Sequence, residues 1–485
     1  MTLFKKSPGQ SQEIQEEPSA TQHGGLKNTK LILGKAEKLY PNQKNNINPL
    51  RLNYSRRVQH ALVLGMTGSG KTESVLINFA SQDIEKKYST IIFDGKGDYS
   101  TFSKIYAFSH QLNFHENVYF FAANENKDIS ETYNPLLSDV SATRKTEMIM
   151  KSFFEYNPEQ STDATNYYKG QARAILAMAI TILEAQNQPY NFKDIYYLLT
   201  ETRILKKLLE TTQTSLPTHI FSQTKTYLQD TEKDRQNKIS GLMEKLSLFI
   251  EDQHLNTYNP TLKISDILDT SKTLFVSLSA TEKEKIIGKL ILQDIQNTLQ
   301  TRQTSRQITE FPAGFLYLDE FSSYIYDGFL LILNKARSAN ISITIMTQSY
   351  GDLSRLGESF AQSLLDNTGI KIILKQDSIE NSQISRLLGQ TIHHKLTQSW
   401  KHDEIGKRIT EEYDYIARPE EIRALLPGQA ICNLPLQDGI GIYKTQLFWK
   451  QELQNTQAIT YTPRNNQETQ GINLEQQVKE IYQND

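Results

Sequence analysis

The stretch Gly65-Met66-Thr67-Gly68-Ser69-Gly70-Lys71-Thr72 decides the fold of this 485-residue chain. It fits the pattern G-x-x-x-x-G-K-[ST], in which backbone N–H groups of a glycine-rich loop cradle phosphates. An apolar run at 60–64 precedes the loop, and the sequence from Thr72 to Ala80 is typical of a helix. This order of strand, loop and helix is the context that a phosphate loop requires. The segment therefore predicts a nucleotide site.

Each position of the phosphate loop has a predicted role. Lys71 would reach the β- and γ-phosphates of ATP, and the Thr72 hydroxyl would ligate Mg²⁺. The helix N-terminus would add the positive end of its dipole. The remaining nucleotide-binding positions would hold phosphate through their backbone, and they are Gly65, Thr67, Gly68, Ser69 and Gly70.

Short apolar runs alternate with helical patterns along much of the chain. The runs lie at 61–64, 90–93, 118–121, 273–278, 314–318, 341–346 and 370–374. Such runs are typical of parallel strands that are buried on both faces. Ile287, Ile291, Ile295 and Leu299 step by four and predict the buried stripe of a helix. We therefore expect an α/β fold with a mostly parallel central sheet.

The chain divides into five predicted segments. Residues 1–30 are polar and predicted to be a disordered tail, and 448–485 form a Gln- and Asn-rich tail with one weak helical patch. Residues 31–137 and 269–447 are the two parts of the nucleotide-binding domain. Residues 138–268 have helical patterns and little strand signal, which predicts an all-helical insertion.

Two adjacent carboxylates, Asp319 and Glu320, follow the strand at 314–318. Strands of open α/β sheets present their carboxyl ends to the ligand crevice. Asp319 would hold Mg²⁺, and Glu320 would polarise the attacking water as general base. The alternative is an ordinary helix start with acidic residues in its first turn.

Gln348 ends a later strand, where a polar side chain can sense the γ-phosphate and the attacking water. Arg337 ends the preceding helix. It is either an arginine finger that enters a neighbouring subunit's site or a cation at a helix C-terminus. The turn Asp94-Gly95-Lys96-Gly97-Asp98 either supports the site, with Lys96 on phosphate, or is a plain glycine turn.

Composition limits the remaining possibilities. The chain has 53 Lys and Arg against 55 Asp and Glu, and the net charge of −2 argues against a strongly basic nucleic-acid coat protein. The single cysteine, Cys432, excludes an internal disulfide and a cysteine-based metal site.

The best apolar run, 174–183, is about half the ~20 residues of a membrane span, and no signal peptide is visible. We expect a cytoplasmic protein. Trp400 and Trp449 are isolated in the sequence and are interpreted as structural.

Taken together, the motifs resemble the TraG/TraD family of type IV secretion coupling proteins over about residues 31–445. Besides the segments above, the resemblance rests on Leu31-Ile32-Leu33-Gly34-Lys35, Tyr133-Asn134-Pro135-Leu136, Gln171-Ala172-Arg173, 384–388, Pro419-Glu420-Glu421-Ile422 and 425–430. Family members usually begin with membrane-spanning helices, which this sequence does not show.

The resemblance implies a RecA-like P-loop motor domain with an inserted all-α domain. It implies a homo-hexameric ring in which Arg337 acts on a neighbour's site. The cargo would be single-stranded DNA with a bound relaxase, or another nucleoprotein, and the partners would be components of a type IV secretion channel. Membrane contact would then come only through partners. Two alternatives stay open: a DNA pump of the FtsK or HerA kind, and a nucleotide-switched receptor for protein cargo that pumps nothing.

Overall fold

The structure is a computed structural model. It describes residues 29–40, 46–123, 127–154, 163–279, 281–304, 312–326, 328–377, 381–401, 404–437, 439–449, 453, 459–467 and 469–484. The predicted N-terminal tail, 1–30, lies outside the described residues except for Thr29 and Lys30.

The strands of this part of the chain are labelled in chain order. They are β1 Lys30–Tyr40, β2 Asn46–Asn53, β3 Ala61–Leu64, β4 Ser89–Asp94, β5 Val118–Ala122, β6 Thr273–Ser277, β7 Gly314–Asp319, β8 Ile341–Thr347, β9 Ile370–Ile373, β10 Gln390–Lys401, β11 Glu404–Tyr415, β12 Gln429–Leu436 and β13 Gly439–Leu447. All seven apolar runs predicted to be strands are strands.

The α-helices are labelled in the same way. They are α1 Tyr54–Arg57, α2 Asn78–Glu85, α3 Tyr99–Gln111, α4 Ala142–Phe153, α5 Asp163–Glu184, α6 Phe192–Thr200, α7 Thr202–Thr212, α8 Thr218–Gln229, α9 Glu232–Ser247, α10 Ile264–Asp269, α11 Glu282–Thr304, α12 Phe329–Ser338, α13 Tyr350–Leu353, α14 Glu358–Asn367, α15 Asn381–Leu388, α16 Pro419–Arg423 and α17 Leu474–Asn484. A π-helical turn, Lys71–Ile77, replaces the first part of the helix expected over Thr72–Ala80 and leads into α2.

One large sheet organises the fold. Eleven of the described strands pair in the order β2-β1-β13-β12-β9-β3-β8-β7-β4-β6-β5, and β10 and β11 form a separate antiparallel pair. The strands from β9 to β5 run parallel, whereas β12, β13, β1 and β2 continue the sheet by antiparallel pairing. This confirms the expected α/β fold with a mostly parallel sheet.

The parallel strands are apolar on both faces because each face covers a different core. Leu62 and Leu64 of β3 belong to the core that continues into the helices between β5 and β6. Val63, between them, belongs to the opposite core with Phe79 and Phe102. Successive side chains of a strand point to opposite faces, so a strand between two cores needs an unbroken apolar run.

Helices fill the stretch between β5 and β6. Helices α4 to α10 lie there, and no strand occurs in its described residues from Ala142 to Asp269. The stripe of α11, which packs against α4, α10 and α12, is buried at all four predicted positions. Nowhere in the described residues is a helix both long enough and apolar enough to cross a membrane.

The sheet brings distant segments to one edge. Leu64 at the end of β3 is paired with Thr347 at the end of β8, and Asp319 at the end of β7 is paired with Asp94 at the end of β4. Because parallel strands share a direction, these carboxyl ends form one crevice. The phosphate loop, the carboxylate pair and Gln348 all follow directly from this edge.

A buried charge cluster ties the first helices to the centre of the sheet. Arg57 of α1 donates to Asp83 of α2 (Nη2 to Oδ2, 3.1 Å) and to the Tyr317 hydroxyl of β7 (2.7 Å). All three side chains are buried. Removing Arg57 or Asp83 would leave the other as an unpaired buried charge, which typically costs about 3–5 kcal/mol.

The C-terminal segment is more integrated than a solvated tail. Tyr461 is buried against Phe102 and Phe120, and its hydroxyl donates to Glu131. Arg464 also donates to Glu131, with 2.7 Å from Nη1 to Oε1. The few apolar residues of this polar stretch follow no helical or strand period, so the sequence pattern does not reveal that they are buried.

The same segment then crosses to the helical region. The N–H of Ile472 donates to the Pro189 carbonyl (3.0 Å), and that of Leu474 donates to Asp194 Oδ1 (2.8 Å). Helix α17, at the place of the predicted weak helical patch, packs against α6. The segment thus bonds to both the nucleotide-binding part and the helical part of the chain.

Replacing Tyr461 should therefore weaken the whole fold. We expect Tyr461→Ala to lower the free energy of unfolding by about 3–5 kcal/mol, because it empties a buried aromatic site. Tyr461→Phe keeps the ring but loses the bonds of the hydroxyl to Glu131, to the Phe120 N–H and to Arg464, which should cost about 1–3 kcal/mol. Thermal and urea unfolding measure both values. Equal stability of the Ala variant and the wild type would show that the segment does not support the fold.

Candidate functional site: the phosphate loop and its carboxylates

Glycines shape the phosphate loop after β3. Gly68 and Gly70 have φ of 77° and 95°, which is the left-handed region that favours glycine. A Cβ at Gly65 would lie 2.6 Å from Ser69 Oγ, and one at Gly70 would lie 3.0 Å from the nitrogen of Gly428. These three positions therefore favour glycine.

Lys71 lies inside this loop. Its side chain is buried, and Nζ donates to the carbonyl oxygen of Gly65 and, at 3.4 Å, to that of Met66. Burial lowers the pKa of the Lys71 ammonium, and the Asp319 carboxylate opposes this shift. Thr67 and Gly68 are exposed at the tip of the loop. The Lys71 side chain is thus enclosed by the loop, and the tip of the loop faces solvent.

The side chains of Thr72 and Asp319 meet across the crevice, and both contact the Lys96 ammonium. The Thr72 hydroxyl donates to Asp319 Oδ2 at 3.0 Å. The Lys96 ammonium lies 3.2 Å from Thr72 Oγ1 and 3.3 Å from Asp319 Oδ2. One hydroxyl and one carboxylate oxygen are hard ligands of the kind that Mg²⁺ takes together with phosphate oxygens. The pair therefore fits a divalent cation, and a positive charge already lies beside it.

Glu320 is held in a strained backbone conformation. Its φ of 53° and ψ of 44° are left-handed, which costs a non-glycine residue about 1–3 kcal/mol. Gly95 packs against it so closely that a Cβ there would lie 2.9 Å from Glu320 Cβ. Glu320 is the N-cap of a three-residue 3₁₀ turn, Phe321–Ser323, and in the described residues no α-helix starts with the acidic pair in its first turn.

Gln348 binds Glu320 directly. Its Nε2 donates to Glu320 Oε1 at 2.7 Å, and its carbonyl oxygen accepts from Gln376 Nε2 at 2.8 Å. The other carboxylate oxygen, Glu320 Oε2, is buried and accepts no hydrogen bond from the described residues. A base oriented by an amide, with the hydrogen-bonding capacity of its second oxygen unused among the described residues, is the arrangement that general-base chemistry needs.

The turn from Asp94 to Asp98 positions Lys96. The buried Asp94 carboxylate accepts the N–H groups of Lys96 (3.0 Å) and Asp98 (2.8 Å). Burial raises the pKa of Asp94 to about 6, and the nearby Asp319 charge adds to the shift. Asp98 caps α3 by accepting the N–H of Ser100. The two aspartates thus order the turn, and Lys96 is the residue that enters the site.

Arg337 is not brought to this site within its own chain. It lies in the last turn of α12 and is exposed. Burial lowers the pKa of His60, and the charge of Arg337 adds to this shift. His60 precedes β3, at the amino edge of the sheet. The phosphate loop lies at the opposite, carboxyl edge. Arg337 as a finger for a neighbouring subunit therefore stays a prediction.

For two supporting residues, the sequence predicts no role at the site. Gly428 donates its N–H to the Ser69 carbonyl at 2.9 Å, and Gln376 holds the backbone of Gln348. Pro427-Gly428 is an ordinary turn signal, and Gln376 follows β9 with no motif around it. Their role depends on pairing between distant strands, which one sequence does not reveal.

Two family models match adjoining parts of the chain. Residues 41–295 match the family described as the central domain of helicase HerA. Residues 315–435 match the family described as the TraM recognition site of TraD and TraG. The first model contains the phosphate loop, and the second contains Asp319, Glu320 and Gln348.

The chain is also similar to individual coupling proteins, in sequence or in fold. The type 4 coupling protein DotL of Legionella pneumophila is 24% identical over 375 residues, which are 65% of this chain and 47% of DotL. The chain thus spans about half the length of DotL. The bacterial conjugative coupling protein TrwBdeltaN70 has the same fold, with a TM-score of 0.61 at 13% identity over 86% of this chain and 90% of that one. The plasmid coupling protein TrwB in complex with ADP and Mg²⁺ gives 0.57 at 13% identity, over 92% and 99%.

The HerA model covers more than half of the chain, and the model for TraD and TraG covers a later segment. Residues from both segments form the site. The chain therefore belongs to the family described as the central domain of helicase HerA, and its residues 315–435 are similar to the TraM recognition site of TraD and TraG.

Proposed function

We propose that the chain is an ATP-hydrolysing motor that couples a nucleoprotein substrate to a type IV secretion channel and drives DNA translocation. The observation that carries the proposal is the convergence at one sheet edge of Lys71, Thr72, Asp319, Glu320 and Gln348. TrwB, whose fold the chain shares, takes ADP and Mg²⁺.

The residues have distinct roles in the proposed reaction. Lys71 and the backbone N–H groups of the loop bind the β- and γ-phosphates. Thr72 and Asp319 would hold Mg²⁺, which would supply positive charge to the phosphate oxygens. Glu320 Oε2 accepts the proton of the attacking water, and Gln348 keeps the carboxylate oriented. A finger, Arg337, would complete the site from a neighbouring subunit of a hexameric ring.

The proposed cargo is single-stranded DNA with a bound relaxase or another nucleoprotein. The chain would work at the inner face of the cell membrane, which it would reach through channel components. The similarity to DotL, a type 4 coupling protein, supports the link to secretion.

A second candidate is a DNA pump of the HerA kind, because residues 41–295 match the HerA model. A nucleotide-switched receptor without turnover is disfavoured by the bond between Gln348 and Glu320, since a pure switch needs no oriented base.

Substitutions at Lys71 and Glu320 separate binding from chemistry. Lys71→Ala should abolish turnover and weaken nucleotide binding. Glu320→Gln should keep binding, because its amide oxygen can still accept from Gln348, and should lower turnover by about 10²-fold or more. Steady-state ATP hydrolysis and nucleotide titration measure the two effects. Wild-type hydrolysis by Glu320→Gln would show that Glu320 is not the general base.

Magnesium should replace the positive charge of Lys96. In Lys96→Met the nearly buried Asp319 carboxylate loses its ion pair. We therefore expect MgCl₂, without nucleotide, to raise the melting temperature of this variant more than that of the wild type. Lys104→Met, which breaks a pair with Glu73 instead, is the matched control. Equal magnesium shifts in all three proteins would argue against a cation site between Thr72 and Asp319.

DNA dependence distinguishes a motor from a receptor. ATP hydrolysis by size-fractionated protein should rise when single-stranded DNA is added, most strongly in the largest assemblies, and Glu320→Gln should remove this rise. A basal rate that no DNA concentration changes, in assembled protein, would move the proposal towards protein cargo.

A further inference from the structure

The sheet order gives the bound nucleotide a direction. The phosphate loop follows β3, and the hydrolytic side chains lie beyond β8 and β7 on one side of it. The γ-phosphate must therefore face β8 and β7, where Glu320 and Gln348 meet. The nucleoside end then extends towards the other side of β3, which is formed by β9, β12 and β13.

On that other side of β3, Gly428 and the segment from Leu447 to Trp449 form a wall beside the phosphate loop. The segment before β12 contacts the loop, since the N–H of Gly428 donates to the Ser69 carbonyl at 2.9 Å. The carbonyl of Gly428 in turn accepts the N–H of Leu447 at 2.9 Å. Gly428 has a left-handed φ of 77°, which favours glycine. The wall is thus fixed to the phosphate loop by backbone bonds.

Trp449 lies on this wall. A Cβ at Gly428 would be 2.5 Å from Trp449 Nε1 and 3.1 Å from its Cε2, so the indole packs directly on the glycine. The N–H of the preceding Phe448 is bonded to the Leu33 carbonyl at 2.9 Å, which anchors the segment to β1. The indole nevertheless remains 38% exposed. A large aromatic face that is anchored, exposed and one residue away from the phosphate loop is placed to meet a ligand.

We propose that Trp449, supported by Gly428, is the surface on which the base of the bound nucleotide stacks. This inference rests on the proposed nucleotide site. Every base has a π-face, so stacking on an aromatic side chain tolerates different bases. The site should therefore bind adenine and guanine nucleotides with similar affinity, because Trp449 provides stacking and no pattern of hydrogen bonds.

Binding of two probes tests the inference. ADP with Mg²⁺ carries a base, whereas inorganic tripolyphosphate with Mg²⁺ offers only phosphates. Trp449→Leu should bind ADP about 10-fold more weakly, which is the effect of losing one stacked base, and should bind tripolyphosphate as the wild type does. Trp449→Phe should keep most of the affinity for ADP because it keeps an aromatic face. Isothermal titration measures all of these values.

The outcomes separate the inference from the proposed function. Unchanged ADP affinity in Trp449→Leu would overturn the stacking role while leaving the nucleotide site intact. An equal loss for both probes would overturn it too, since Trp449 would then only support the loop. Failure of the wild type to bind either probe would overturn both proposals, and Lys71→Ala gives the reference for such a loss.

Fluorescence provides an independent readout. The chain has two tryptophans, so Trp400→Phe leaves Trp449 as the only one. We expect ADP with Mg²⁺ to change the emission of this variant, and tripolyphosphate to leave it nearly unchanged. An emission that ADP does not alter at saturation would contradict contact between the base and the indole.

Discussion

The phosphate loop is fixed by backbone hydrogen bonds to three other parts of the sheet. The N–H of Gly65 bonds to the carbonyl of Thr347, that of Met66 to Lys375, and that of Gly428 to Ser69. These bonds join the loop to the ends of β8 and β9 and to the start of β12. Because they are bonds between main chains, they fix the position of the loop whatever side chains surround it. The remaining geometry of the site depends on this anchoring.

On the opposite side of the crevice, neighbouring residues hold Glu320 in a strained backbone conformation. Glu320 adopts a left-handed conformation that an isolated strand end would avoid. The glycine turn at Gly95 packs beneath it, and Gln348 binds its carboxylate. Deeper in the sheet, the buried cluster of Arg57, Asp83 and Tyr317 fixes β7 to α1, which precedes the loop, and to α2, which follows it. The hydrolytic strand and the phosphate-binding segment are thus connected at two depths.

Local patterns predicted the parts of the site that lie next to their own strands. Asp319 and Gln348 lie at or just after the end of an apolar strand, whereas Lys71 and Thr72 end the loop that follows one. The parallel sheet brings these residues together. The sequence did not predict that the Lys96 ammonium lies between Thr72 and Asp319, because that contact depends on side-chain reach across two strands. It also could not predict Gly428, whose partner Ser69 comes from the other end of the chain. Tyr461 was missed for a related reason, since a single aromatic residue in a polar stretch carries no periodic signal.

The strand order has a consequence for how the chain acquires its fold during synthesis. Among the described strands up to Ala123, β1 and β2 are the two that pair with each other. β3 pairs with β8 and β9, while β4 pairs with β6 and β7. A nascent chain that has emerged as far as β5 therefore has apolar strands whose partners have not yet been made. Such non-local pairing slows folding and leaves strand edges exposed to aggregation. Strands β3 to β5 therefore lack their full set of partners until β9 has been synthesised.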